Sequence, residues 1–169
     1  KYLNFFIKNQ KKTFQIHPYY FWDPETQKSD PGRPSHIKQD IEICRLVRDA
    51  VGPEMVLSYD PWGTYRTYEE AHKVGRVLEE LDFYWYEHPM PESRVSSYEK
   101  LCRELHIPIL SPEIAAGSLY TRADWILRGA SDMSRIDVLR GGVTGVKKMA
   151  GICEAYGIKC EIHMSGYAN

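Results

Sequence analysis

The chain has 169 residues, of which 43% are hydrophobic, and its 22 basic and 23 acidic side chains leave a net charge of −1. This composition favours one folded domain and excludes a disordered segment. Because the charges nearly balance, the sequence has no strong field that would attract nucleic acid or an anionic membrane, and a small molecule is the expected partner.

The predicted elements alternate along the chain between short apolar runs and amphipathic segments. The predicted strands are FQIH (14–17), MVLSYD (55–60), FYWYE (83–87), IPILSPE (107–113), MSRID (133–137) and KCEIH (159–163). The predicted helices cover about residues 36–51, 67–81, 95–105, 120–128 and 144–156. This alternation is typical of consecutive β/α units and predicts a parallel sheet.

Two segments carry further local signals. Thr67, followed three residues later by Glu70, predicts a capped helix start. The proline- and aromatic-rich segment 18–34 predicts a long ordered loop of the kind that is often functional. No CxxC pair occurs among the four cysteines, which favours free, inert thiols.

The apolar runs are too short and too interrupted by charge to cross a membrane, and KYLNFFIKNQKK at the N-terminus lacks the features of a leader peptide. We therefore expect a cytoplasmic protein with no membrane partner.

Five of the predicted strands end in an ionisable residue. These residues are Asp60, Glu87, Glu113, Asp137 and His163, at intervals of 27, 26, 24 and 26 residues. One unit of a (β/α)₈ barrel has about this length, and the catalytic residues of such barrels lie at the C-terminal ends of the strands. We therefore expect the five side chains to converge on one mouth. The three carboxylates among them are hard oxygen ligands of the kind that Mg²⁺ prefers.

Five motifs resemble, in order and spacing, the barrel of the enolase superfamily on its mandelate racemase side. The motifs are SYDPWGTY, FYWYEHPMP, PILSPE, SRIDVLRGGVTG and CEIHMSG. The resemblance, which covers roughly residues 14–169, implies a parallel (β/α) TIM-type barrel in which about six of eight strands are present. It implies that the capping domain is absent, so we expect residues 1–169 to form one catalytic barrel domain that is incomplete at both ends. We also expect a homo-oligomer.

The same resemblance implies the roles of the strand-end residues. Asp60, Glu87 and Glu113 correspond to the ligands of one Mg²⁺ per site, and Asp137 with His163 corresponds to an Asp–His dyad. Physical chemistry agrees, because a carboxylate on one ring nitrogen fixes the tautomer of a histidine and raises its basicity, which suits proton abstraction.

Several positions depart from the family pattern. Where the family often carries Lys-x-Lys, this chain has Gln15 and His17. Gln15 cannot supply a cation, whereas His17 can act as an acid, a base or a neutral donor. Trp62 occupies a position that is commonly Asn, and His88 one that is commonly Glu. The sequence leaves open the roles of Gln15, Trp62 and His88, and that of Arg140.

Other chemistries fit less well. A Schiff-base aldolase would need a lysine at a strand end, and a zinc hydrolase would need clustered histidines. GGVTG (141–145) lacks the Lys-Ser/Thr of a phosphate-binding loop and predicts a tight turn.

The resemblance implies removal of the proton α to a carboxylate, with the enediolate stabilised on Mg²⁺. Dehydration of an acid sugar, a lyase reaction, is favoured because His17 can give a proton to a departing hydroxyl. A racemase or epimerase of an α-substituted carboxylate is the alternative. A catalytically inactive barrel fragment or paralogue also remains open, and the sequence does not identify the carboxylate.

Overall fold

The computed structural model describes residues 12–18, 22–23, 28–29 and 36–163. The chain divides into two compact units, residues 1–91 and residues 92–169. Most of the predicted loop 18–34 lies outside the described residues, and the prediction that it is ordered is therefore not tested.

The described residues of the first unit form three parallel strands, a short antiparallel pair and two helices. Its elements are β1 (Thr13–Ile16), the short antiparallel pair β2 (Trp22–Asp23) and β3 (Lys28–Ser29), α1 (Ile37–Val51), β4 (Val56–Tyr59), α2 (Tyr68–Glu80) and β5 (Trp85–Glu87). β4 pairs in parallel with β1 on one side and with β5 on the other. Its residues Leu57, Ser58 and Tyr59 are all buried, as expected for a parallel strand that is covered on both faces.

The start of α2 agrees with the sequence prediction. The Thr67 hydroxyl accepts a hydrogen bond from the backbone N–H of Glu70 at 3.2 Å, and the Glu70 carboxylate accepts one from the backbone N–H of Thr67 at 3.3 Å. This capping box satisfies donors that would otherwise be unpaired at the helix start.

Between residues 92 and 163, the second unit has three further parallel strands and three helices. Its elements are α3 (Val95–Glu104), β6 (Ile109–Leu110), α4 (Ser118–Leu127), β7 (Met133–Ile136), α5 (Val138–Tyr156) and β8 (Lys159–Ile162). β7 pairs in parallel with both β6 and β8. The core includes Ile136, Val146, Met149 and Cys153, and the rings of Tyr98 and Trp125 pack 4.8 Å apart elsewhere in this unit.

The largest differences from the predicted bounds are at β6 and at the start of α5. β6 has two residues instead of seven, and the prolines on either side of it, Pro108 and Pro112, have no N–H to donate to a strand ladder. α5 starts with a short helical turn at Val138, which the Asp137 carboxylate caps, and its longer part after Gly142 agrees with the predicted helix at about 144–156. The predicted turn in GGVTG corresponds to an interruption of this helix at Gly142, whose φ is 62°.

The six parallel strands and the helices between them confirm the predicted partial (β/α) barrel. The four cysteines are free thiols, as predicted. Within the described ranges, no helix combines the length and apolar content that crossing a membrane would require.

Candidate active site

Asp60 follows β4 directly and is 4% exposed. Its backbone N–H donates to the carbonyl of Ile16 at 3.0 Å, which extends the pairing of β1 with β4 by one residue. Its side-chain Oδ1 accepts from the backbone N–H of Trp62 at 2.8 Å. The carboxylate is therefore held in place by the loop that follows it.

His17 and Trp62 lie beside Asp60. Nε2 of His17 is 3.4 Å from Oδ2 of Asp60, and the imidazole packs edge-on against the Trp62 indole with ring centroids 5.9 Å apart. Trp62 has a φ of 52° and is 45% exposed. Trp62, which stands where the resembled family commonly has Asn, thus packs its indole beside His17 and donates its backbone N–H to Asp60.

Glu87 is the last residue of β5 and is fully buried. Its Oε2 accepts hydrogen bonds from Gln15 Nε2 at 2.7 Å and from Trp85 Nε1 at 3.3 Å. Gln15 and Trp85 are both in register with Ser58 on the intervening strand, so the parallel sheet brings them to the same carboxylate. Gln15, whose role the sequence left open, is a neutral hydrogen-bond donor to Glu87.

His88 follows Glu87 and is 1% exposed. Its carbonyl accepts from the backbone N–H of Gly63 at 2.6 Å, and a Cβ at Gly63 would lie 2.9 Å from His88 Nε2. The imidazole therefore packs against the loop after Asp60, in space that exists because residue 63 has no side chain.

In the second unit, a histidine lies between two carboxylates. His163 Nε2 is 3.2 Å from Oε1 of Glu113, and His163 Nδ1 is 3.2 Å from Oδ2 of Asp137. The other oxygen of Asp137 accepts from the backbone N–H of Arg140 at 2.7 Å, at the start of α5. The carboxylate that contacts His163 is thus also anchored by a helix N-terminus, whereas the side chain of Arg140 is exposed.

Each unit contributes buried carboxylates that follow or end a strand: Asp60 after β4 and Glu87 at the end of β5 in the first unit, and Glu113 in the loop after β6 in the second. A buried carboxylate has lost most of its hydration, so its charge needs a cation or hydrogen bonds to compensate it. Carboxylate oxygens are the ligands that Mg²⁺ prefers, so these side chains fit such an ion.

Sequence reasoning missed two buried charged residues next to Glu113. The carboxylate of Glu92 accepts from three backbone N–H groups of the loop after β6. The guanidinium of Arg122 donates to two carbonyls of the same loop and to that of Ser118 at the start of α4. One signal was available for Arg122, which lies three residues before buried Trp125 and so shares the apolar face of a helix. Glu92 had no comparable signal.

Comparison with known proteins identifies the family of the chain. The family described as enolase C-terminal domain-like matches residues 21–168. The structure of D-glucarate dehydratase from Agrobacterium tumefaciens complexed with magnesium is 37% identical, with a TM-score of 0.83, over 99% of this chain and 42% of that chain.

Two curated relatives match over shorter stretches. Arabinonate dehydratase from Saccharolobus solfataricus is 29% identical over 133 residues, which are 76% of this chain and 34% of the relative. D-galactarolactone cycloisomerase from Agrobacterium fabrum is 26% identical over 131 residues, or 77% of this chain and 34% of the relative. The chain therefore spans about a third of the length of these relatives. The family match covers most of the chain, and the chain belongs to the enolase C-terminal domain-like family, as its five motifs predicted.

Proposed function

We propose that this chain supplies the catalytic side chains of an enzyme that removes the proton α to a carboxylate and dehydrates an acid sugar. The observation that carries the proposal is the contact series Glu113, His163, Asp137, in which both ring nitrogens of one histidine lie 3.2 Å from a carboxylate oxygen. The similarity to D-glucarate dehydratase and arabinonate dehydratase supports the substrate class.

His163 is the proposed general base. With the Nδ1 proton directed at Asp137, the lone pair of Nε2 is on the side of Glu113, where it can accept a proton from a substrate. Asp137 orients the ring and stabilises the imidazolium that forms, as a carboxylate does in other His–carboxylate pairs. The His163 side chain is 36% exposed, so a substrate can reach it.

Asp60, Glu87 and Glu113 are the proposed ligands of one Mg²⁺. An ion bound there supplies positive charge that makes the α-proton of a carboxylate substrate more acidic. The hydrogen bonds from Gln15 and Trp85 reach the same oxygen of Glu87 and so orient this carboxylate without adding charge.

His17 is the proposed acid of the second step. Its side chain is 39% exposed, and Asp60 contacts Nε2. In a dehydratase His17 would protonate the departing β-hydroxyl, and in a racemase or epimerase it would return a proton to carbon. The two reactions share the first step and differ in where this second proton goes. An inactive paralogue would catalyse neither reaction.

The test is a screen of the full-length protein with Mg²⁺ against aldonic and aldaric acids, with 2-keto products detected by semicarbazide. We expect at least one acid to give a keto acid. If no acid sugar reacts while an α-substituted carboxylate is racemised, the dehydratase proposal is wrong and the racemase alternative holds. If no substrate exchanges its α-proton, the inactive alternative holds.

The role of His163 is tested by deuterium exchange at the substrate α-carbon in D₂O. His163→Asn should reduce this exchange by roughly 10²- to 10⁴-fold, the usual contribution of a general base. His106→Asn changes an exposed histidine of the same unit and serves as the matched control. Unchanged exchange in His163→Asn would assign the base to another residue.

A further inference from the structure

We infer that Glu92 and Arg122 are positioning residues for Glu113. Glu92 binds backbone N–H groups of the loop after β6, Arg122 binds backbone carbonyls of the same loop, and together they set the location of Glu113. This inference rests on the metal site of the proposed function. The loop consists of residues 111–117, between β6 and α4.

Glu92 binds the donor side of this loop. It is 8% exposed, and its Oε1 accepts from the backbone N–H groups of Glu113 and, at 3.2 Å, of Ile114. Its Oε2 accepts from the backbone N–H of Ala115 at 2.5 Å. Three successive backbone donors thus converge on one carboxylate. Hydrogen bonds to an ionised acceptor are stronger than those between neutral groups, so this carboxylate restrains the backbone on which Glu113 lies.

Arg122 binds the acceptor side of the same loop from α4. Its side chain is fully buried, and its Nη2 donates to the carbonyl of Glu113 at 2.7 Å. Its Nη1 donates to the carbonyls of Ala115 at 3.2 Å and Ser118 at 2.9 Å. A planar guanidinium can serve several acceptors at once, which a lysine ammonium cannot do with the same geometry.

Arg122 also reaches the strand that leads to the Asp–His dyad. Its Nε donates to the carbonyl of Arg135 at 2.5 Å, on β7 and two residues before Asp137. One buried side chain therefore connects the backbone that carries Glu113 with the backbone that carries Asp137. Burial lowers the pKa of Arg122, and the charge of Glu92 opposes this change.

Together the two side chains hold Glu113 at both of its backbone polar groups, its N–H by Glu92 and its carbonyl by Arg122. Movement of the loop would leave buried donors and acceptors unpaired, which is costly. Mg²⁺ requires nearly ideal octahedral geometry, so a small displacement of one carboxylate is enough to weaken its binding. The expected consequence is that Glu92 and Arg122 control metal affinity without touching the ion.

The experiment is calorimetric titration of Mg²⁺ into the full-length protein, at a temperature at which all variants are folded by circular dichroism. Glu92→Gln keeps the shape but loses the charge, and should weaken Mg²⁺ binding by about 10- to 100-fold, as changes behind a metal ligand commonly do. Glu99→Gln is the matched control, because it makes the same change at another glutamate of this unit, whose carboxylate lies 2.6 Å from Nε of exposed Arg128 on the protein surface. It should bind Mg²⁺ as the wild type does.

If Glu92→Gln is folded and binds Mg²⁺ with wild-type affinity, the inference is wrong and Glu92 has only a structural role. If Glu92→Gln does not fold, Arg122→Lys carries the test, with the same expected loss and the same refuting result. Failure of the proposed metal site gives a different result: the wild type binds no Mg²⁺, or Glu87→Gln binds Mg²⁺ with the same affinity as the wild type. Either result contradicts both the proposed function and this inference.

Discussion

The buried carboxyl group of Asp40 predicts a stability that depends on pH. Asp40 lies on α1 and is fully buried. Its Oδ2 accepts from the hydroxyl of Tyr65 at 2.5 Å, and this hydroxyl lies 3.2 Å from that of Tyr59. Among the described residues Oδ1 has no hydrogen-bond partner. Burial raises the pKa of Asp40 to about 6, against the opposing hydrogen bonds of the two tyrosines.

The direction of the effect follows from proton binding. Because the pKa of Asp40 is higher in the folded state, the unfolded chain loses this proton first as the pH rises. The contribution to stability is therefore fully present below about pH 4 and is lost as the pH rises through about 6. The complete loss corresponds to about 3 kcal/mol, of which about 2 kcal/mol falls between pH 4.5 and 7.5.

The measurement is urea unfolding of the wild type and Asp40→Asn at about pH 4.5 and about pH 7.5. Asn does not ionise, so the free energy of unfolding of Asp40→Asn minus that of the wild type should increase by about 2 kcal/mol between the two pH values. Asp49→Asn changes an exposed aspartate on the same helix, and its difference should stay constant within about 0.5 kcal/mol. If the difference for Asp40→Asn is the same at both pH values, the argument from burial is refuted.

Two further changes test the candidate site and the loop beside it. Glu87→Gln removes the charge of one of the three proposed ligands and should weaken Mg²⁺ binding at least about tenfold in a calorimetric titration; equal affinity would remove Glu87 from the proposed ligand set. Gly63→Ala puts a Cβ 2.9 Å from Nε2 of His88 at a φ of 70° and should lower the free energy of unfolding by about 1–2 kcal/mol or more. If Gly63→Ala has the same free energy of unfolding in urea as the wild type, His88 moves aside at no cost.

The strand-end residues were predictable because two regular periods coincide in the sequence. The alternation of apolar runs and amphipathic segments identifies β/α units, and the intervals between Asp60, Glu87, Glu113, Asp137 and His163 match the length of such a unit. In a parallel sheet the C-terminal ends of strands lie on the same edge. The contacts of Asp60 with His17 and of His163 with both Glu113 and Asp137 agree with that expectation.

Element boundaries were less predictable, because a local side chain can move them. The carboxylate of Asp137 starts a short helical turn ahead of the helix that the apolar pattern indicates, since it satisfies a backbone donor of that turn. The same carboxylate contacts His163 through its other oxygen, and this double use could not be inferred from spacing.

The sequence by itself therefore determined the β/α order, the family and the strand-end residues, because these depend on periodicity and on motifs that are local along the chain. Only the tertiary structure decided what supports those residues. Gln15 donates to a carboxylate 72 positions away, and Glu92 accepts from backbone groups 21 to 23 positions away. Contacts between such distant positions leave no periodic pattern, since they arise when strands and loops pack together and each buried polar group finds a partner.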